Sequence, residues 1–363
     1  MSSDTPAALG YRMPAEWEPH VATLIAWPHH RDDWPGKFPP IPWVYVEIVR
    51  HLRRVERVDI LIVDRAARDR AARLLRCAGV GRERVRFLKA ATDRVWTRDT
   101  GPTFVVNDRV AGHQVGLIDW RFNGWAKYAN HLNDDRIPRL LARRRGLKRW
   151  TPENEVGGRR VRIVLEGGAI DVNGRGSLLT TEECLLSTIQ ARNPGLDRVD
   201  LERVFADHLA APHVIWLGRG IAGDDTHGHV DDLARFVDPR TVVAAVEPDT
   251  SDLNHEALHE NWQRLLSARD QEGRPLRVVA LPMPEPIAFD GQRLPASYAN
   301  FYIANRLVLV PTFNDPADRH ALEILADLFP DRQVVGIHSV DLILGLGALH
   351  CLTQQEPAVV PPD

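Results

Sequence analysis

Glu166-Gly-Gly-Ala-Ile-Asp-Val-Asn-Gly-Arg-Gly-Ser-Leu-Leu-Thr180 is the stretch whose reading decides the fold. A polar cluster, Glu166-Gly-Gly168, comes first. An apolar run from Ala169 to Val172 follows, then the turn Asn173-Gly174, then a second run from Gly176 to Thr180. Asn-Gly between two such runs is a strong hairpin signal, because the turn needs residues that tolerate positive φ. The same order recurs along the chain. Trp96-Thr-Arg-Asp99 precedes Pro102 to Val106 and the turn Asn107-Asp108. His227-Gly-His-Val-Asp231 precedes Leu233 to Val237, the turn Asp238-Pro239 and Thr241 to Val246. Ser297-Tyr-Ala-Asn300 precedes Phe301 to Ala304, the turn Asn305-Arg306 and Leu307 to Pro311. Copies lie roughly 65 residues apart, with helical stretches such as Leu253 to Ala268 and Asp318 to Leu328 between them. A fixed period with one local grammar marks a repeat architecture.

The two ends of the chain fit this frame. Val21 to Trp27 reads as a buried strand closed by Pro28. Trp43 to Arg54 has helical apolar spacing, Val58 to Val63 reads as a strand, Asp64 to Cys77 as a basic helix opened by an Asp cap, and Val85 to Leu88 as a strand. Alternating strands and helices favour an α/β fold. At the other end, Val340-Asp-Leu-Ile-Leu-Gly-Leu-Gly-Ala-Leu-His-Cys-Leu-Thr-Gln-Gln355 brings apolar residues to a glycine pair and then to a cysteine. Glycines tolerate strained turns and admit other groups close to the backbone. Cys351 would open a last, incomplete unit, giving five modules. With no linker or low-complexity stretch, residues 1–363 are expected to form a single domain. Closing five similar units into a ring would leave no end unit exposed. It would also gather Asp99, Glu166, His229, Asp231 and Cys351 at the axis.

Composition narrows the function. The chain has 363 residues, 44% apolar and 26% charged, with a net charge of −3, ordinary values for a globular protein. The charge gives no reason to expect a nucleic-acid or membrane-surface role. No apolar run approaches the roughly 18 residues of a membrane helix. Met1 to Gly10 lacks the basic and apolar features of a signal peptide, so a cytoplasmic location is expected. Cys77, Cys184 and Cys351 form no Cys-x-x-Cys pair, which argues against a disulfide framework or structural zinc site and allows a catalytic thiol.

One thiol, an imidazole and several carboxylates in one pocket suit a planar cation. Carboxylates pair best with a guanidinium, in two parallel hydrogen bonds. The thiol attacks only as a thiolate, and a bound cation within about 4–6 Å favours that form. His229 is the natural proton carrier, protonating departing ammonia and then deprotonating water, with Glu166 holding the ring. The outcome is conversion of a guanidino to a ureido group.

At these residues the chain resembles the agmatine deiminase and bacterial peptidyl-arginine deiminase family of the guanidino-group-modifying superfamily. The matching stretches are Met13-Pro-Ala-Glu-Trp-Glu-Pro-His20, Trp96-Thr-Arg-Asp-Thr-Gly-Pro102, Phe122-Asn-Gly-Trp125, Glu166-Gly-Gly168, Gly228-His-Val-Asp231 and His350-Cys-Leu-Thr-Gln-Gln355. The resemblance implies a pentein-type, five-bladed pseudo-symmetric α/β propeller closed as one domain, and a homodimer. It implies Cys351 as nucleophile, His229 as general acid/base with Glu166 beside it, Asp99 and Asp231 as guanidinium-binding carboxylates, and Trp96 as a wall of the substrate channel. The implied reaction converts agmatine to N-carbamoylputrescine and ammonia through an amidino-thioether on the cysteine, without cofactor or metal. It belongs to polyamine synthesis. Two positions depart from the pattern: His227 stands where Asp is frequent, and Ala348 where the family often has Asn.

Other readings stay open at this point. Peptidyl or free arginine would replace agmatine if an Arg or Lys met a carboxylate at the entrance, for which Arg121 and Lys127 are available. His227, His229 and Asp231 have the spacing of a zinc hydrolase on an extended segment. A guanidinium-binding protein without turnover would use the same pocket. Cys77 and Cys184 read as inert core residues. His350 reads as structural, because a strand neighbour of Cys351 would point the other way. The basic stretches Asp64 to Arg76 and Arg139 to Arg149 read as solvated helix faces.

Overall fold

The computed structural model describes residues 4–109 and 114–358. In the unit around Glu166, Asp171–Val172 pairs antiparallel with Ser177–Thr181, which pairs in parallel with His213–Leu217. The helix Arg198–Leu209 makes the crossover that a parallel pair requires. Three further units repeat this pattern. Thr103–Asn107, Gln114–Ile118 and Lys148–Trp150 surround the helix Ile137–Arg145. Ala234–Phe236, Thr241–Val246 and Arg277–Pro282 surround His255–Ser267. Tyr302–Ala304, Leu307–Thr312 and Gln333–His338 surround Ala317–Leu328. Part of the first hairpin's turn, 110–113, and the start of the N-terminal segment, 1–3, lie outside the described residues.

The fifth unit is complete. Gln354–Pro357 pairs antiparallel with His20–Ala26, so Leu24 stands opposite Gln354 on one side and Asp59 on the other. Arg57–Ile62 and Val85–Lys89 extend the sheet through the helices Ile41–Val55 and Arg65–Cys77. The unit that Cys351 opens is therefore finished by the strand near the other end of the chain. Two short hairpins, Glu153–Val156 with Arg159–Arg162 and Ala288–Phe289 with Gln292–Arg293, are additions to the repeat.

Local chemistry explains the elements. Ile41–Val55 has Pro in its first turn and buries Tyr45, Val46, Ile48, Val49 and Leu52 on one face. Each such side chain is worth about 1.5–3 kcal/mol. Asp64 caps the next helix, its Oδ1 accepting from the Ala67 amide at 2.7 Å, a contact worth about 1 kcal/mol. Asp197 and Asp200 cap Arg198–Leu209 reciprocally. Arg139 to Arg149 is split, its first part in Ile137–Arg145 and its end in the strand Lys148–Trp150. No helix among the described residues is long and apolar enough to cross a membrane.

The repeat places chemistry at one position in every unit, just ahead of the first strand. Asp99 lies in the short helix Thr97–Thr100, Glu166 immediately before Gly167–Ala169, and His229 and Asp231 at Val230–Asp232. Asn300 precedes Tyr302–Ala304, and Cys351 precedes Gln354–Pro357.

Candidate active site

Residues 349–352 form a turn, and Cys351 sits in it, buried apart from a small face on a cavity. The Asn300 amide holds this turn. Its Oδ1 accepts from the backbone amides of His350 at 3.0 Å and Cys351 at 3.4 Å, while its Nδ2 donates to Cys351 Sγ at 3.1 Å and Asp232 Oδ1 at 3.0 Å. The glycine pair serves space more than strain. A Cβ on Gly347 would stand 2.8 Å from the Trp96 ring and 3.2 Å from Cys351 Cβ. The positive φ between the glycines falls on Leu346, at 66°.

Asp231 lies against the sulfur, Sγ to Oδ2 being 3.7 Å. The same Oδ2 is 2.7 Å from Nδ1 of His350, whose Nε2 is 2.8 Å from Glu16 Oε2. Glu16 also accepts from Arg98 at 3.1 Å, Arg235 at 3.0 Å and the Ile303 amide at 2.7 Å. Arg98 reaches Gln355 Oε1 at 2.8 Å. Burial would push the Asp231 carboxyl up, but His350, His229 and Arg235 outweigh it and hold it below its ordinary value. Asp231 is therefore an anion.

His229 is held differently. It is fully buried, and its Nδ1 lies 3.9 Å from Asp99 Oδ2 and its Nε2 3.9 Å from Glu166 Oε2. Neither ring nitrogen, nor Glu166 Oε2, nor Asp231 Oδ1 has a hydrogen-bond partner among the described residues. Burial would lower the imidazole, yet Asp99, Cys184 and Glu166 outweigh it and raise it well above its usual value. Burial would raise Glu166, but Arg192, whose Nε donates to Oε1 at 3.0 Å, and His229 hold it down at about 2. Asp99 accepts from the Gly168 amide at 3.0 Å and Trp125 Nε1 at 2.9 Å. Burial, with Asp231 and Glu166 nearby, still leaves Asp99 above the ordinary carboxylate value. Burial first, then Asp231, Asp232 and Asp99, push the Cys351 thiol up. The cluster thus carries an excess of negative charge that a cation would relieve.

Gly168 measures how closely the parts meet. A Cβ there would stand 2.6 Å from His229 Nδ1, 3.0 Å from Asp231 Oδ2 and 3.1 Å from Asp99 Oδ1. Imidazole and both carboxylates therefore converge on Gly168, which has room for no Cβ. A cavity of about 600 Å³ runs from Cys351 and Asp99 past Trp96 and Trp125 to a mouth bearing Asp32, Asp33, Asp225 and Asp290. Arg94 at this mouth pairs with Asp33, and Lys127 pairs with Asp225. Arg121 does not line the cavity.

The structure brings together Asp99, Glu166, His229, Asp231 and Cys351, and places Trp96 on the cavity wall. His227 stands apart, its Nε2 3.1 Å from Ser187 Oγ and its Nδ1 3.9 Å from Glu183, so the His227–His229–Asp231 zinc arrangement does not assemble. His350 corrects the strand argument: a turn aims it at Asp231. Of the two cysteines expected in the core, Cys77 is exposed at the end of the helix Arg65–Cys77, whereas Cys184 is buried, beside the Glu166 and His229 side chains. Asn300, Glu16, Arg192 and Trp125 were quoted or passed over without a role. Asn300 alone had a usable signal, its place at the head of a repeat.

Comparison with known proteins agrees with this geometry. The family model of Porphyromonas-type peptidyl-arginine deiminases matches residues 12–357. An agmatine deiminase of Ectopseudomonas mendocina (strain ymp) is 37% identical, over 98% of this chain and 97% of its own length. One from Stutzerimonas stutzeri (strain A1501) is also 37% identical, over 98% of each chain. The solved agmatine deiminase of Enterococcus faecalis superposes with a TM-score of 0.88 at 31% identity, covering 98% of both chains.

Proposed function

Because the chain belongs to the Porphyromonas-type peptidyl-arginine deiminase family, we propose that it hydrolyses agmatine to N-carbamoylputrescine and ammonia. The observation that carries this reading is the convergence of Asp99, Asp231 and His229 beside the Cys351 sulfur, at the end of the cavity that Asp99 and Cys351 line. The guanidinium lies between the two carboxylates and neutralises part of their charge. That change lowers the cost of the thiolate, whose sulfur attacks the guanidinium carbon. The His229 imidazolium gives its proton to the departing nitrogen, and ammonia leaves an amidino-thioether on Cys351. The now neutral ring takes a proton from water as the water attacks the same carbon. The C–S bond breaks as the hydroxyl left on that carbon gives its proton to solvent, releasing the ureido product and restoring the thiolate. Glu166, fixed by Arg192 on one oxygen, turns the other toward Nε2 and favours the protonated ring.

The mouth supports agmatine over arginine. Both cations near it are already paired with aspartates, and Asp32 and Asp290 add further negative charge. An ammonium tail is favoured there, and a free carboxylate is repelled. Side-by-side ammonia release from agmatine, arginine and an arginine-terminated peptide tests this; a higher kcat/KM for either arginine substrate overturns it.

The same reading takes residues 1–363 as one domain whose five units are the blades of a closed propeller. Its support is the repetition of one strand pattern and the pairing of Gln354–Pro357 with His20–Ala26. A homodimer acting in the cytoplasm without a cofactor completes the proposal; light scattering checks the dimer.

A further inference from the structure

Behind the imidazole lies a thiol that this chemistry does not use. Cys184 is presented by the short helix Glu182–Leu186, whose first turn is capped by Thr181, its Oγ1 accepting from the Cys184 amide at 3.1 Å. Cys184 Sγ, one Glu166 carboxylate oxygen and one His229 ring nitrogen all lie within 4.8 Å of one another, and all three residues are buried. Glu166 Oε2 and His229 Nε2, 3.9 Å apart, lack hydrogen-bond partners among the described residues. Arg192 occupies the other Glu166 oxygen and so fixes the free one in place.

From this arrangement we infer that Cys184, His229 and Glu166 form an inhibitory site for a soft divalent cation such as zinc or cadmium. Sulfur, nitrogen and oxygen donors are a set that zinc accepts, with water as a fourth ligand. Tetrahedral coordination places such donors about 3.3–3.6 Å apart, so each must close in by no more than about 1 Å. Binding expels the Cys184 thiol proton and the His229 ring proton to solvent, and the two anionic ligands balance the ion's charge. Asp99, which lines the cavity, lies 3.9 Å from Nδ1 of the same imidazole. This is distinct from capture by the nucleophile, because Cys351 contacts Asp231 and Asn300 and belongs to the other side of the site.

The inference rests on the proposed function only for its effect on turnover. With His229 held by the ion, ammonia loses its proton donor while Asp99 and Asp231 still bind the guanidinium. Inhibition then lowers kcat and leaves KM nearly unchanged.

Binding is read without turnover in a Cys77→Ser/Cys351→Ala variant titrated with cadmium chloride. The expected result is a thiolate-to-cadmium charge-transfer band that saturates at one equivalent. Adding Cys184→Ser, which keeps the side chain's size, removes the band, and adding Glu166→Gln instead weakens binding at least about tenfold. A band that survives Cys184→Ser, or no band in the parent variant while circular dichroism shows it folded, overturns the inference. In the otherwise unaltered enzyme, Cys184→Ser raises the zinc concentration that halves turnover at least about tenfold. Unchanged zinc sensitivity assigns the inhibition to Cys351 and also overturns it. Absence of cadmium binding by the folded Cys77→Ser/Cys351→Ala variant, with agmatine turnover intact in the unaltered enzyme, would refute this site alone, leaving the proposed function standing.

Discussion

Two histidines sit in this site, each between two carboxylates, and they are held in opposite ways. His350 is clamped, 2.7 Å from Asp231 and 2.8 Å from Glu16, and Glu16 is itself tied to Arg98, Arg235 and the Ile303 amide. His229 stands 3.9 Å from Asp99 and 3.9 Å from Glu166, with neither nitrogen partnered among the described residues. Both rings are buried. A buried polar atom left without a hydrogen bond costs about 1–3 kcal/mol, so His229 stores an expense that His350 does not. The satisfied ring orders its surroundings, and the unsatisfied one is ready to exchange protons with a substrate.

Changing the loose side should cost activity, and changing the clamped side should cost order. Cys351→Ala is expected to reduce ammonia release by about 10⁴-fold or more with thermal stability retained, and His229→Gln by about 10²–10⁴-fold. His350→Leu should do the reverse. It removes one donor each from Asp231 Oδ2 and Glu16 Oε2, lowering stability by about 1–3 kcal/mol in urea titration, with a kcat loss well below that of His229→Gln. A kcat loss at His350 equal to that at His229 would break the comparison. Between these comes Gly168→Ala, whose new Cβ meets His229 at 2.6 Å; a kcat loss of about 10²-fold with a native circular dichroism spectrum is expected.

The pH profile sharpens the contrast further. Asp99 is raised, so its carboxylate is lost to protonation at a pH above the ordinary acid range, and kcat/KM falls on that side. His229 is raised too, so the imidazolium that protonates ammonia persists above the ordinary imidazole range before kcat/KM falls again. A bell with both limbs displaced upward is the expected shape. The smallest effect is at the mouth, where Asp225→Asn should raise KM for agmatine by about tenfold or less and leave kcat near its starting value.

What the sequence revealed follows from how local each signal is. The hairpins and their order were legible because a turn and its flanking strands are contiguous, and the polar clusters are their immediate neighbours. The third strand of three units leaves no clear mark in the sequence. Lys148–Trp150, Arg277–Pro282 and Gln333–His338 lie at sheet edges with many half-exposed or exposed residues, which blurs their apolar pattern. His350 was misread because alternation holds in a strand, whereas residues 349–352 turn. Cys184 carries no clear signal in its own stretch, because Glu166, at the head of the same unit, and His229, at the head of the next, meet it only in the fold. Asn300 was visible as the head of a repeat, but its contact with the sulfur depends on how adjacent units are set against each other.

The sheet that joins Gln354–Pro357 to His20–Ala26 has a consequence for how the protein is made. Synthesis runs from the N-terminus, so the earliest strand leaves the ribosome long before its partner exists. Until that partner arrives, its edge stays open, and no sulfur stands beside the acids. A nascent chain stalled before Cys351 and the strand Gln354–Pro357 should thus be inert however well its other units have folded.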